Sequence, residues 1–210
     1  MDKPKRNIPK KFQKSKKSFV DRVYLESQKS SFNNVSAFPK GISFYGKDSD
    51  EDIVLVVRAH WIAYLPDLFV ILLVLLLPVL LLFLSGFYPL IGTQVLYIGM
   101  IILSIGVAFT LLLSTLLKWY YTVNIITDQR IVVIKMNNAF HHSYAETQLE
   151  KIEDMTHHHL GFLGTFFDVG DVEIDTAGHG VDFVLRMLPR PREMQDILND
   201  LLEMKQKGDI

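Results

Sequence analysis

Cysteine is absent from the 210 residues of this sequence, and several classes of site are absent with it. Without thiols the chain can form no disulfide framework, no cysteine nucleophile, no cysteine-ligated zinc site and no iron–sulfur cluster. The sequence also lacks the phosphate loop, the nucleophile elbow, the zincin motif and the dinucleotide fingerprint that mark common enzymes. We therefore expect a protein that is not an enzyme and that has no cofactor.

Acidic residues are scarce in the first fifty positions, where 12 lysines and arginines face five aspartates and glutamates. The rest of the chain reverses this balance, so the net charge of −1 is a cancellation. We predict a disordered basic tail over 1–40, with no cleaved signal peptide. The tail either holds the N-terminus in the cytoplasm or adheres to an anionic lipid surface, and nucleic acid is the weaker alternative. Its candidate membrane-surface residues are Lys10, Lys11, Lys14, Lys16 and Lys17.

Charges are nearly absent from two long hydrophobic runs, 62–84 and 95–117. At 1.5 Å per residue, each run is long enough for a helix to cross a hydrocarbon core about 30 Å thick. Pro78 predicts a kink in the first helix, because proline removes a backbone donor. The sequence therefore predicts two transmembrane helices joined by a short external loop at 85–94.

Positive and aromatic residues flank these runs on one side. Arg58 and Trp61 lie at the end of a juxtamembrane segment, 41–61, while Lys118 and Trp119 follow the second run. Because positive residues are retained in the cytoplasm and tryptophan is enriched at membrane interfaces, we expect both termini to be cytoplasmic.

Glycine recurs every seven residues in and before the second run, at Gly92, Gly99 and Gly106. On a helix this spacing places small residues along one stripe, where another backbone can approach closely. The neighbour is either the first span of the same chain or a helix from a second copy or another protein.

The hydrophobic period changes from helical to strand-like after the second run. β-branched runs on both sides of 127–130 predict a hairpin, and similar runs predict six or seven antiparallel strands between 121 and 188. Apolar residues at helical spacing after Pro189 predict a final amphipathic helix, with Pro191 suited to its first turn. We expect one α+β domain over 118–204, with a curved antiparallel sheet capped by this helix.

Seven short motifs follow one another at characteristic spacings between residues 51 and 189. They are 51–54 (Glu-Asp-Ile-Val), 58–61 (Arg-Ala-His-Trp), 121–123 (Tyr-Thr-Val), 127–131 (Thr-Asp-Gln-Arg-Ile), 149–154 (Leu-Glu-Lys-Ile-Glu-Asp), 170–174 (Gly-Asp-Val-Glu-Ile) and Pro189. In this order the chain resembles the bacterial pleckstrin-homology-like membrane proteins that have a two-helix hairpin just before the domain. The resemblance implies a pleckstrin-like antiparallel β-barrel or split barrel with a C-terminal capping helix, no catalytic centre, and a place in the bacterial inner membrane.

Basic residues are too few near the first hairpin for a phosphoinositide site. Multiply phosphorylated headgroups need several cationic donors, whereas Arg130 stands alone beside Asp128 in a region, 118–210, with nine basic and 15 acidic residues. A protein-docking surface fits this charge better. An aromatic segment is the candidate contact, either exposed to a partner or a membrane or buried in the mouth of the barrel. Its residues are Phe162, Leu163, Phe166 and Phe167.

Five of the seven histidines lie at 141–142 and 157–159. If the two strand segments pair, alternate imidazoles would meet on one face and could bind Zn, Ni or Cu. Their spacing matches no standard site, so we expect exposed strand-end histidines and no metal. The weak candidates for ligands are His141, His157 and His159.

These patterns favour a non-enzymatic inner-membrane protein whose cytoplasmic pleckstrin-like domain is a protein-interaction or self-assembly module. The expected partners are the lipid bilayer and another membrane or cytoplasmic protein, or a second copy of the chain. The alternative is a lipid- or small-ligand-binding sensor of envelope stress at the membrane surface.

Overall fold

The computed structural model of the protein describes residues 8–13, 17–29, 34–85, 94–138, 141–176 and 183–210. The strands are β1 (Val35–Ala37), β2 (Ile53–Arg58), β3 (Val123–Thr127), β4 (Arg130–Asn138), β5 (His141–Gln148), β6 (Ile152–His159), β7 (Val169–Thr176) and β8 (Phe183–Pro189). The α-helices are α1 (Lys17–Lys29), α2 (Leu65–Ser85), α3 (Gln94–Tyr121), α4 (Gly161–Phe167) and α5 (Pro191–Gln206). The predicted α+β class is confirmed.

Five antiparallel strands form the first sheet, in the order β1-β2-β3-β4-β5. The predicted hairpin lies between β3 and β4. Thr127 closes it, because its Oγ1 accepts the backbone N–H groups of Gln129 and Arg130 at 3.2 and 3.0 Å. Such side-chain bonds to nearby backbone favour a turn at this position.

Three antiparallel strands form the second sheet, in the order β6-β7-β8. A 3-10 turn, Leu149–Lys151, separates β5 from β6 and leads the chain into this sheet. Helix α5 packs against that turn and against all three strands of the second sheet, and its buried residues share one core with residues of both sheets. Among the described strands none joins the two sheets, so they are not closed into a barrel. Of the two predicted forms, β-barrel or split barrel, the closed one is not formed, and the fold is two antiparallel sheets with a capping helix.

The two apolar helices are inserted between neighbouring strands of the first sheet. A 3-10 turn, Trp61–Tyr64, connects β2 to α2, and a single residue, Thr122, connects α3 to β3. Arg58 and Val123, the adjoining ends of β2 and β3, pair in the sheet. We call this end of the sheet the helix-proximal end, and the end with the β3–β4 hairpin the distal end.

This insertion corrects the predicted domain boundaries. Residues 53–57 were expected in the juxtamembrane segment 41–61, but they form β2, a central strand in which all five are buried. A run of five buried apolar residues gains more from pairing and packing than from remaining a solvated linker. The domain is therefore built from both sides of the helical hairpin and is not confined to 118–204.

Helices α2 and α3 contain the two predicted hydrophobic runs. Both are long and apolar enough to cross a membrane, over Trp61–Leu84 and Val95–Tyr121. Pro78 lies inside α2, and the two helices pack against each other. Most of the predicted external loop, 86–93, lies outside the described residues.

The described part of the N-terminal segment differs most from expectation, because it is folded and not a disordered tail. Phe12 lies in a 3-10 turn, Phe19, Val20 and Val23 lie on α1, and all four are buried in the main core. Helix α1 packs on β1 and α5. Burial of each such side chain is worth about 1.5–3 kcal/mol, enough to hold a charged segment against the domain.

Candidate functional site

The helix-proximal end is fixed to the second sheet through a bulge in β8. The backbone N–H of His60 donates to the carbonyl of Met187 at 2.9 Å. Met187 has a φ of +55°, which is uncommon for a residue other than glycine. Its own N–H donates to Asp171 Oδ1 at 2.7 Å, so the bulge is held from both sides. β8 therefore keeps a fixed position relative to the start of α2.

His60 begins the 3-10 turn that leads into α2. The side chain is buried, and its Nδ1 accepts the backbone N–H of Ile62 at 3.4 Å. Burial lowers the pKa of His60. The neutral ring is the form that this geometry requires, since an imidazolium has no acceptor nitrogen.

Helix α4 presents the predicted aromatic contact to the outside. Gly164 lets the helix lie against β7, because a Cβ there would come within 2.7 Å of the Val169 carbonyl oxygen. Phe162 is 85% and Phe166 74% exposed, and Leu163 and Phe167 are exposed as well. Burial of this segment in a barrel mouth, one of the two alternatives, is therefore wrong.

An apolar groove of about 490 Å³ lies between α4 and the start of α2. Its walls include Pro66 and Phe69 of α2 and Leu163 of α4. The rings of Trp61 and Phe167 meet edge to face, with centroids 6.1 Å apart. The apolar surface of α4 is thus continuous with that of α2.

A second crevice, of about 510 Å³, opens at the helix-proximal end where the two sheets do not meet. We call it the basic crevice, because Lys118, Lys135 and Arg186 line it and none of its described lining residues is acidic. Lys118 Nζ lies 3.9 Å from Asp67 Oδ2, which is outside the lining. The uncharged polar residues that line the basic crevice are Tyr64, Thr122, Asn124 and Ser143.

A third, apolar crevice of about 230 Å³ lies between α2 and α3, and we call it the interhelical crevice. Leu68 of α2 and Leu112 and Leu116 of α3 form much of its wall. Tyr64 lines both this crevice and the basic crevice, so the two adjoin at that side chain.

The predicted flanking residues connect the helices to the domain. The Arg58 guanidinium lies over the Tyr120 ring, 5.2 Å from its centroid, and Trp119 Nε1 donates to the Ala59 carbonyl at 3.2 Å. Trp61 is partly exposed beside α4. Arg58, Trp61 and Trp119 therefore form one layer at the helix-proximal end.

Arg130, at the distal end, is engaged by the protein itself. Its Nη2 lies 2.9 Å from Oε2 of the buried Glu51, its Nη1 donates to Glu146 Oε2 at 3.1 Å, and its Nη2 also donates to the Gly46 carbonyl. Burial opposes ionisation of Glu51, but hydrogen bonds from Arg130, Thr127 and the Asp48 backbone, together with the Arg130 charge, outweigh it and lower the pKa of Glu51. Arg130 therefore ties the chain before β2 to the hairpin.

The predicted membrane-surface lysines do not act as one group. Lys11 Nζ donates to Asp128 Oδ2 at 2.5 Å, at the distal end. Burial disfavours the charge on Lys11, but the hydrogen bond to Asp128 and the negative charges of Asp128, Asp52 and Asp50 together outweigh it and raise the pKa of Lys11. This contact places Lys11 at the distal end of the first sheet, away from α2 and α3, where it pairs with a carboxylate of its own chain. Lys10 and Lys17 are exposed. Lys14 and Lys16 lie outside the described residues.

The strands that carry the two histidine clusters, β5 and β6, belong to different sheets and do not pair with each other. His157 Nδ1 contacts Gln195 Oε1, and His159 Nε2 lies 3.0 Å from Asp168 Oδ1. The backbone of His141 pairs with β4. In the described ranges of the chain no three histidine, aspartate or glutamate side chains are placed to hold a metal ion.

The glycine stripe does not pack closely on α2. A Cβ added at Gly99 or Gly106 would meet no other atom within 4 Å, and Gly92 lies outside the described residues. Of the two alternatives for the stripe, packing within this chain is therefore wrong at Gly99 and Gly106.

Sequence patterns missed the basic crevice and the role of the N-terminal segment. Lys135 and Arg186 lie on strands of different sheets, and no local pattern indicates that they share a crevice. The spacing of Phe19, Val20 and Val23 is helical and could have indicated α1, but the surrounding lysines obscured it.

Comparison with known proteins gives one family match. Residues 60–202, more than half of the chain, match the family described as "Bacterial PH domain". A crystal structure of a DUF1696 family protein with a pleckstrin-homology domain from Shewanella loihica is similar at 14% identity, covering 39% of this chain and 70% of that one, with a TM-score of 0.31. Curated proteins gave no match.

Proposed function

This chain belongs to the bacterial PH domain family, and we propose that it is a non-enzymatic, membrane-anchored module that holds its PH-like domain in a fixed orientation. In this proposal α2 and α3 cross the bacterial inner membrane with both termini in the cytoplasm. The helix-proximal end then faces the lipid, and the distal end faces the cytoplasm and binds another protein or a second copy of the chain. The short connections between the helices and the first sheet carry the proposal.

The connections leave little freedom for the domain to turn. One residue separates α3 from β3, and only Ala59 and His60 separate β2 from the turn that leads into α2. The bond from His60 to Met187 extends the constraint to the second sheet. A module of this kind would present the same surfaces to the membrane and to the cytoplasm at all times.

The position of α4 supports contact with lipid at the membrane surface. Phe162 and Phe166 are exposed on α4, and Leu163 of the same helix lines one groove with Phe69, which is itself exposed on α2. Phenylalanine and leucine on the apolar face of an interfacial helix are buried at the boundary between headgroups and acyl chains. For the exposed aromatic segment, we therefore propose the membrane-facing alternative and not a protein contact.

The distal end offers a different kind of surface. Tyr45 is 94% exposed, and the carbonyl of the next residue, Gly46, accepts a hydrogen bond from Arg130 Nη2 at the distal end. Exposed tyrosines are enriched where proteins bind one another. Tyr45 therefore supports the distal end as the protein-binding surface.

Site-specific photo-cross-linking of the full chain in native membranes tests the proposal. A photoreactive residue replaces either Phe166 or Tyr45, so that each variant is a matched control for the other. We expect lipid adducts from position 166, and from position 45 a protein adduct, either a second copy or one reproducible partner. Lipid adducts from position 45, or protein adducts from position 166 without lipid, would show that the proposed orientation is wrong.

A lipid-binding role is the second candidate function, and the basic crevice favours it. The cations that line it lie next to the two helices and not at the first hairpin.

A further inference from the structure

The basic crevice contrasts in charge with the region around it. Residues 118–210 contain nine basic and 15 acidic residues, yet Lys118, Lys135 and Arg186 converge on one crevice whose described lining has no acidic member. Within the described residues neither Lys135 nor Arg186 forms an ion pair. Such a concentration of positive charge attracts an anion.

The shape of the crevice follows from the open arrangement of the two sheets. Lys135 comes from β4, Arg186 from β8 and Lys118 from the end of α3, so three separate elements surround the space. The volume of about 510 Å³ lies within the range of small-molecule sites. The bulge at Met187, which also lines the crevice, holds β8 in place on one side of it.

The lining supplies both charge and hydrogen-bond donors. Arg186 can bind a phosphate group with two parallel N–H donors, and Lys118 and Lys135 add point charges. Tyr64, Thr122 and Ser143 also line the space, and the Ser143 hydroxyl donates to the Lys135 carbonyl at 3.3 Å. A phosphate ester is the anion that best uses this combination of donors.

The adjoining interhelical crevice favours a lipid over a free phosphate ester as the ligand. Its described lining is almost wholly apolar, lies between α2 and α3, and shares Tyr64 with the basic crevice. Leu112 and Leu116 can contact an acyl chain there, while the headgroup occupies the basic crevice. Basic pockets at the cytoplasmic ends of membrane helices bind anionic headgroups in this way.

We propose that the two crevices together bind one anionic phospholipid, with its phosphate between Lys135 and Arg186 and an acyl chain between α2 and α3. Lys118 adds a third positive charge to the crevice, and its Nζ also lies 3.9 Å from Asp67 Oδ2. The inference rests on the proposed membrane anchoring, because only then does lipid have access to the interhelical crevice. The bound lipid would join the two sheets across their gap and so fix the domain to the helices.

Native mass spectrometry of the full chain in mild detergent, with added phosphatidylglycerol, tests the inference. We expect the Lys135→Gln/Arg186→Gln variant to bind phosphatidylglycerol about thirtyfold more weakly, since each cation near an anionic headgroup contributes about fivefold. The Lys151→Gln/Arg192→Gln variant is the matched control, because it removes the same charges from exposed positions outside the crevice. Its affinity should stay within about twofold of the wild type.

Two further variants keep the test decisive. Lys135→Arg/Arg186→Lys retains the charge and should retain the lipid, which separates loss of binding from loss of fold. Leu116→Trp fills the interhelical crevice and should weaken binding of phosphatidylglycerol but not of glycerol 3-phosphate. If glycerol 3-phosphate binds as tightly as the lipid and Leu116→Trp has no effect, the crevice takes a soluble phosphate ester and the assignment to lipid is wrong.

Alkaline extraction of membranes separates this inference from the anchoring on which it rests. If the wild-type chain is extracted, the anchoring fails and the lipid inference fails with it. If the chain stays in the membrane while the crevice variant and its matched control bind phosphatidylglycerol equally, the lipid inference alone is overturned.

Discussion

Replacement of Phe19 by alanine should destabilise the domain, although Phe19 lies in a lysine-rich segment far from the strands in sequence. The side chain is 1% exposed, and its ring lies 6.0 Å from that of Phe12, between centroids. Truncation of a buried phenylalanine costs about 3–5 kcal/mol. We expect about 3 kcal/mol, the lower end, because a terminal helix can shift to fill part of the cavity.

Pulse proteolysis of the full chain in detergent micelles across a urea series measures this change. With an m-value of about 1–3 kcal/mol/M, a loss of 3 kcal/mol lowers the urea midpoint by about 1–3 M. Leu25→Ala is the control on the same helix, since Leu25 is 49% exposed and its loss should change stability by about 0.5 kcal/mol or less. Equal and small shifts for the two variants would refute the argument that α1 belongs to the core.

Three further predictions use the same urea assay. Glu51→Gln should lower the free energy of unfolding by about 2–3 kcal/mol, because it removes a charged partner of Arg130. Since the folded pKa of Glu51 is lowered, this contribution to stability is present above about pH 4.5 and is lost as the pH falls through the folded pKa. A Glu51→Gln variant whose stability kept the wild-type dependence on acid pH would contradict the prediction. The folded pKa of His60 is also lowered, so the unfolded state takes up a proton first and stability should fall as the pH drops through about 6.5. His60→Asn keeps a hydrogen-bond acceptor that does not titrate, so the variant should lose this pH-dependent fall in stability. An unchanged pH profile of stability in the variant would count against the prediction. Gly164→Ala should destabilise the domain by about 1–3 kcal/mol, because its Cβ would clash with the Val169 carbonyl. Gly99→Ala, with open space around it, should have little effect on the domain. Equal urea midpoints for the two variants would contradict the prediction.

The anchoring, orientation and lipid proposals converge on the helix-proximal end. Its apolar groove beside α4 and its basic crevice lie on either side of the turn that starts α2, and Ala63 and Met187 line both. A lipid headgroup bound in the basic crevice would fix the domain at one point. The aromatic side chains of α4, inserted in the bilayer, would fix it at a second point. The cross-linking and lipid-binding experiments test these two points separately.

Elements with strong local signals could be predicted from the sequence. The runs at 62–84 and 95–117 are long and uniformly apolar, so their helices did not depend on tertiary context. The hairpin at 127–130 depends on hydrogen bonds that the Thr127 hydroxyl oxygen accepts from backbone N–H groups of its own turn. The final helix follows from its 3.6-residue period and from Pro191 at its start.

Features that join distant parts of the chain were decided only by the tertiary structure. Whether Phe12 and Phe19 are solvated or buried depends on a core that also includes Leu149 and residues of α5, more than a hundred positions away, and the lysines beside them hide the pattern. Strand β2 finds its neighbour β3 across the whole helical hairpin, so no local pattern reveals the pairing. The basic crevice exists because the two sheets stay open and bring Lys135 and Arg186 to one space, and this depends on how strands pack and not on their individual sequences.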